Sequence, residues 1–226
     1  MQNENPEEIN DTTEVRRSFA LTTSRIESLS DCIFAFAMTL LVLGFSVPAQ
    51  GSGSSLLRAL IRLQPQFTTY ILSFVVLGGL WLAHHNQYFW IKKSNRPFLW
   101  INMMYLLFIS LIPFSTKVLA EYPDQSVAMI IYGLNVVICL TVLYIHWFYA
   151  TRKKIDLVEN LNDRIVILVE GRIGALIFLN ILAVILSFVS LTLGVWMIII
   201  AQVFLVAPTV TIDKLIIRYK RSFSKK

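Results

Sequence analysis

Uncharged, largely apolar stretches run from Cys32 to Leu57, Leu63 to Ile91, Pro97 to Thr116, Gln125 to Thr151 and Ile173 to Ile212. About 20 apolar residues cross a bilayer as a helix, so each of the first four stretches predicts one span. The last is about twice as long, and at ~1.5 Å per residue a single helix would overshoot a ~30 Å hydrocarbon core. It predicts two helices that fold back near Ser187 to Gly194. The pattern therefore predicts an all-α integral membrane protein with six transmembrane helices, at about 28–47, 63–88, 97–117, 125–150, 165–188 and 193–214.

Local signals refine the ends. Ser24, with Glu27 three residues on, forms a capping-box pattern that starts the first helix near Arg25. Pro48 and the Gly51 to Ser55 run end that helix and make an outer loop, and Leu56 to Leu63 (LLRALIRL) offers a short amphipathic lead into the second span. Thr192-Leu-Gly-Val-Trp196 falls where a turn between spans five and six is required and is read as that turn. The chain divides into a polar tail over 1–24, a six-helix domain over 25–217 and a basic tail over 218–226.

Charge gives the orientation. Arg16, Arg17 and Arg25 precede span one, Lys92, Lys93 and Arg96 lie between two and three, and Arg152, Lys153, Lys154, Arg164 and Arg172 between four and five. Six more basic residues follow span six, leaving Arg58, Arg62 and Lys117 of the 20 for the opposite side. By the positive-inside rule both termini are cytoplasmic. The net charge of +6 then follows from topology and anionic lipid near the basic loops, and nucleic acid is not a partner.

The composition agrees: 56% of residues are hydrophobic, 15% charged, and mean hydropathy is +0.64, values foreign to a soluble domain of 226 residues. Cys32 and Cys139 sit inside predicted spans, where thiols behave as small hydrophobes. The N-terminal segment lacks the apolar core and small-residue cleavage site of a signal peptide.

Candidate chemistry is sparse. On the first helix Phe36, Thr39 or Leu40, Leu43 and Val47 share one stripe, with Ala35, Ala37 and Gly44 supplying small side chains. The stripe could be a pore face, although any apolar helix carries one. Asp31 demands more, since an ionised carboxylate in the bilayer costs about 2.5–3.5 kcal/mol unless it finds a partner or water. It could concentrate cations at a cytoplasmic mouth, couple to protons, or, with Ser30, hydrogen-bond a neighbouring helix and fix the register of the first. His84 and His85 lie at similar depth but point about 100° apart, so they do not share a metal, and no cofactor is expected. Neither a nucleophile-base set nor a phosphate loop is present, so the chain does not read as an enzyme. The TVGYG loop of common potassium pores is also absent.

Arg25-Ile-Glu-Ser-Leu-Ser-Asp31, followed by Phe34-Ala-Phe-Ala-Met-Thr-Leu-Leu-Val-Leu43, resembles the R-x-x-x-F-S-D signature and pore helix of the transmembrane protein 175 family of potassium channels. Trp81-Leu-Ala-His-His-Asn86, then Asn102 to Lys117 with Glu121-Tyr122, are similar to its second and third helices. The resemblance implies a potassium channel of the single-repeat prokaryotic kind in the cell membrane, a homotetramer whose first helices line one central pore. It implies that K+ is the permeant ion, that Phe36, Leu40 and Leu43 form apolar rings with Thr39 as a polar ring, and that Arg25, Ser30 and Asp31 anchor the pore helix with Trp81 and His84. Two positions depart from the pattern: the signature Phe is Leu29, and the innermost ring, usually Leu or Ile, is Phe36.

The expected mechanism is a hydrophobic constriction. A narrow apolar neck strips water from an ion, which disfavours sodium more than the weakly hydrated potassium and yields weak selectivity. The alternatives are a proton-coupled secondary transporter using Asp31 with His84 or His85, and a non-conducting scaffold that binds lipid through its basic tail.

Overall fold

The computed structural model describes residues 23–45, 56–152, 157–158 and 161–206. Among the described residues eight helices follow in order: α1 Thr23–Leu43, α2 Leu56–Arg62, α3 Gln64–Tyr88, α4 Arg96–Ser110, α5 Ile112–Glu121, α6 Ser126–Ala150, α7 Asp163–Val189 and α8 Leu191–Val206. Five segments among the described residues are long and apolar enough to cross a membrane, with α4 and α5 counting as one; α8 is a shorter apolar helix over its described residues.

Helix ends follow their side-chain chemistry. Asn95 caps α4 by accepting from Phe98 N–H at 3.0 Å, and Asn162 caps α7 by accepting from Arg164 N–H at 2.9 Å. Proline occupies the first turn of α3, α4 and α5, where its missing N–H costs nothing. The α4–α5 break at Leu111 arises because Pro113 cannot donate to the carbonyl four residues back. Buried Asn135 of α6 fills that break: its amide donates to Phe108 O and accepts from Ile112 N–H and the Ser115 hydroxyl, each at 3.2 Å.

Several boundaries differ from expectation. The first helix opens at Thr23, two residues before the expected start, so Ser24 lies within the helix instead of capping it, and its described part ends at Leu43. The fold-back between the last two helices occurs at Ser190, and Thr192 to Trp196 lie inside α8 rather than forming the turn. Gly194 is there for close packing: a Cβ would sit 2.8 Å from Ser187 Cβ and 3.1 Å from Ala183 O. Arg172, expected between spans, lies within α7 and donates to Leu205 O at 2.7 Å and Phe204 O at 3.3 Å. The tails over 1–22 and 207–226, and with them Val47, Lys153, Lys154 and the Gly51 to Ser55 run, lie outside the described residues.

Helix α1 packs against α3, α4 and α5, while α6, α7 and α8 complete the bundle behind them. The main core threads all of these helices, from Phe34 and Leu41 through Leu77 and Leu80 to Tyr132 and Ala183. A second core gathers at one end, where Ile26 of α1 meets Trp90, Ile91, Phe98, Trp147, Leu157 and Ile165. Leu157 O accepts from Lys92 N–H at 2.9 Å and Ile91 bridges to Val158, so the α3–α4 and α6–α7 connections are strapped together beneath α1.

Candidate functional site on the first helix

The two faces of α1 differ sharply. Ile26, Ser30, Phe34, Ala37 and Leu41 recur every three or four residues and are buried against the bundle. On the opposite side Arg25, Leu29, Cys32, Phe36, Thr39 and Leu43 are exposed at alternating spacings of four and three, with Phe36 67% and Leu43 74% accessible. That repeat, sustained over about five turns, has the four-three spacing of a helix–helix seam. Leu40 sits beside the seam, half-buried. Thr39 donates its hydroxyl to Phe36 O at 2.8 Å, which leaves the hydroxyl lone pairs on the exposed side.

Polar anchors hold the buried face. Ser30, fully buried, donates to Ile26 O at 2.8 Å and accepts from the Asn102 amide of α4 at 3.3 Å. The Asn102 carbonyl meets His84 Nε2 of α3 at 2.9 Å. One chain of hydrogen bonds thus joins three helices. The His84 ring stacks on Tyr105, centroids 5.3 Å apart and planes 11° apart, and contacts Phe34 of α1 at 6.2 Å. At the border of the exposed face, Trp81 Nε1–H donates to Asp31 at 2.8 Å, and the Trp81 indole stacks on His85.

Of the residues singled out from sequence, Ser30, Asp31, Trp81 and His84 therefore converge on one α1–α3–α4 junction, and Phe36, Thr39 and Leu43 share the accessible face. Arg25 is exposed at the start of the helix and makes no ion pair or side-chain hydrogen bond with another described residue. Asp31 and His84 each bond a different partner, Trp81 and Asn102, and not each other. Among the described residues no group of three His, Cys, Asp or Glu could hold a metal ion.

Sequence reasoning gave no role to four polar residues in and behind the junction. Asn102 links Ser30 to His84, and deeper in the bundle His146 of α6 meets Gln87 Oε1 at 2.8 Å and the Tyr88 hydroxyl at 3.4 Å. The signal was available for His146, an ionisable residue within the last two turns of an apolar span.

A profile of the family described as "Endosomal/lysosomal potassium channel TMEM175" matches residues 25–113, the segment that carries both α1 and its anchors. A potassium channel of Chamaesiphon minutus is 31% identical over 181 residues, covering 76% of this chain and 88% of that one. The chain belongs to the TMEM175 family. A potassium channel of Streptomyces collinus is 32% identical over 132 residues, 57% of this chain and 64% of the relative. The TMEM175 of Gallus gallus, named an endosomal/lysosomal proton channel, is 32% identical over 114 residues, 47% of this chain and only 23% of its own length. In three dimensions the crystal structure of a lysosomal potassium-selective channel TMEM175 homologue from Chamaesiphon minutus superposes with a TM-score of 0.73 at 27% identity, covering 81% of this chain and 95% of that one.

Proposed function

We propose that the chain is one subunit of a potassium-permeable channel, a homotetramer in which four copies of α1 surround an aqueous path. The apolar constriction consists of Phe36, Leu40 and Leu43, with the Thr39 hydroxyls between them. The single observation that carries this reading is the two-sidedness of α1. One face is fixed to the bundle through Ser30, Asp31 and the buried apolar residues, while on the opposite face Phe36, Thr39 and Leu43 stay exposed among the described residues. Membership of the TMEM175 family and the potassium-channel relatives supply the ion.

In this arrangement no backbone carbonyl replaces an ion's water. Apolar rings exclude water from the neck, and an ion must shed part of its shell to pass. Potassium loses its shell more readily than sodium, and Thr39 oxygens return part of the lost coordination. Selectivity is therefore for potassium but weaker than that of a carbonyl cage. With both termini cytoplasmic, six spans and a prokaryotic cell membrane as the setting, Asp31 lies on the cytoplasmic side of the constriction, where its main role is to hold α1 in register.

A proton-coupled transporter is the second reading, since Asp31 and two histidines lie at similar depth in the predicted spans and vertebrate relatives are named proton channels. The hydrogen bonding favours anchoring over relay: Asp31 is engaged by Trp81, and His84 by Asn102.

Purified protein in liposomes under opposed potassium and sodium gradients tests the proposal. A reversal potential displaced toward the potassium equilibrium value, with current that does not saturate like a carrier, is expected. Flux that requires a proton gradient would favour the transporter, and an absence of current would leave only a scaffold.

A further inference from the structure

Helix α2 separates apolar from basic side chains on its two sides. Leu56, Leu57, Leu60 and Ile61 are all exposed, at 62%, 67%, 46% and 64%, and helical geometry puts them on one side. Arg58 and Arg62, four residues apart, occupy the other. Leu63 follows, buried at 3%, and pins the end of α2 to the bundle where Pro65 starts α3. The exposed apolar surface then continues down α3 through Phe67, Ile71, Phe74 and Leu82.

We propose that α2 is an interfacial helix that lies on the membrane surface at the α1–α3 loop, its leucine side in the acyl layer and its arginines among phospholipid phosphates. Two observations select lipid as the occupant. The charge is segregated as a headgroup layer over hydrocarbon requires, with guanidinium groups able to bind phosphate in bidentate fashion on one side and only aliphatic side chains on the other. The apolar side is also continuous with the exposed stripe of a candidate membrane span. A second copy of the chain is a poorer occupant. Four side chains on a two-turn helix fall far short of the roughly 800 Å² that each partner contributes to a stable interface.

Spin labels at Leu57→Cys and Leu60→Cys, and separately at Arg58→Cys and Arg62→Cys, in a Cys32→Ser background and in liposomes, test the proposal. Lipid contact predicts that labels at 57 and 60 relax with oxygen and not with a water-soluble nickel chelate, and that those at 58 and 62 do the reverse. Immobile labels at 57 and 60 that neither reagent reaches would mean a protein contact and overturn the proposal, and nickel access at all four positions would mean a helix standing in water and overturn it equally. On the unmodified protein, phospholipid carrying a photoreactive group high on its acyl chain should label the segment 56–62. A segment left unlabelled while α3 is labelled would contradict the assignment.

Discussion

The Trp81 indole donates its N–H to the Asp31 carboxylate at 2.8 Å, and this bond ties α3 to the border between the buried and exposed faces of α1. A hydrogen bond to a charged group contributes about 1.5–3 kcal/mol, more than its share where water is scarce. On the proposed reading the pair fixes the rotation of α1 and with it the direction in which Phe36 and Leu43 point.

Asp31→Ala and Trp81→Phe should each lower the yield and thermal stability of the assembled protein. Combined, they should cost less than the sum, because either change alone removes the same bond. Ion preference should stay the same. A folded assembly of Asp31→Ala with altered ion preference would put the carboxylate in the permeation path instead.

Asn102→Leu removes the central link between Ser30 and His84 and leaves both buried without that partner. The expected loss is about 1–3 kcal/mol, read as a lowered unfolding midpoint in detergent. Ser30→Ala removes one peripheral bond and should cost less.

Glycine substitutions grade the helix packing. Gly78→Ala meets nothing within 4 Å and should be neutral or slightly stabilising, as alanine is the better helix former. Gly194→Ala would place a Cβ 3.0 Å from Ser187 Cα, where backbone must move, and should cost about 1–3 kcal/mol. Gly79→Ala would place a Cβ 2.6 Å from both Cδ2 and Cγ of buried Leu205, a side chain that must shift as a whole, and should also be destabilising.

On the proposed reading Phe36→Ala and Leu43→Asn widen or wet the constriction and should raise sodium permeability relative to potassium several-fold. Thr39→Ala removes the oxygen that partly replaces hydration and should lower selectivity without abolishing current. Reversal potentials under bi-ionic conditions report all three. Unchanged ratios in every variant would count against the assigned stripe.

Much of this architecture is legible in the chain because membrane helices are dictated by run length and charge. The stretch from Gln125 to Thr151 gave α6 almost to the residue, and the doubled run after Ile173 was correctly divided in two. Interruptions were harder to read. Pro113 breaks α4 from α5 inside a stretch of uniform hydropathy, and the break is held by Asn135, more than 20 residues away in sequence and beyond the reach of any local rule. Gly194 looked like a turn residue because glycine serves both turns and close helix contacts, and only the neighbour Ser187 distinguishes the two. The anchors followed the same logic. Asp31 drew attention by its charge, whereas neutral Asn102 and Gln87 became significant only when folding brought histidines to them.

The central claim is that the exposed seam of α1 faces water inside an assembly and not lipid. Cys32 lies on that seam, one turn on the cytoplasmic side of Phe36 in the proposed orientation, while Cys139 is buried and serves as an internal control. A membrane-impermeant cationic methanethiosulfonate applied from the cytoplasmic side should block potassium current in the wild-type protein and leave Cys32→Ser unaffected. Wild-type current that persists under saturating reagent, with Cys32 unmodified, would contradict the account.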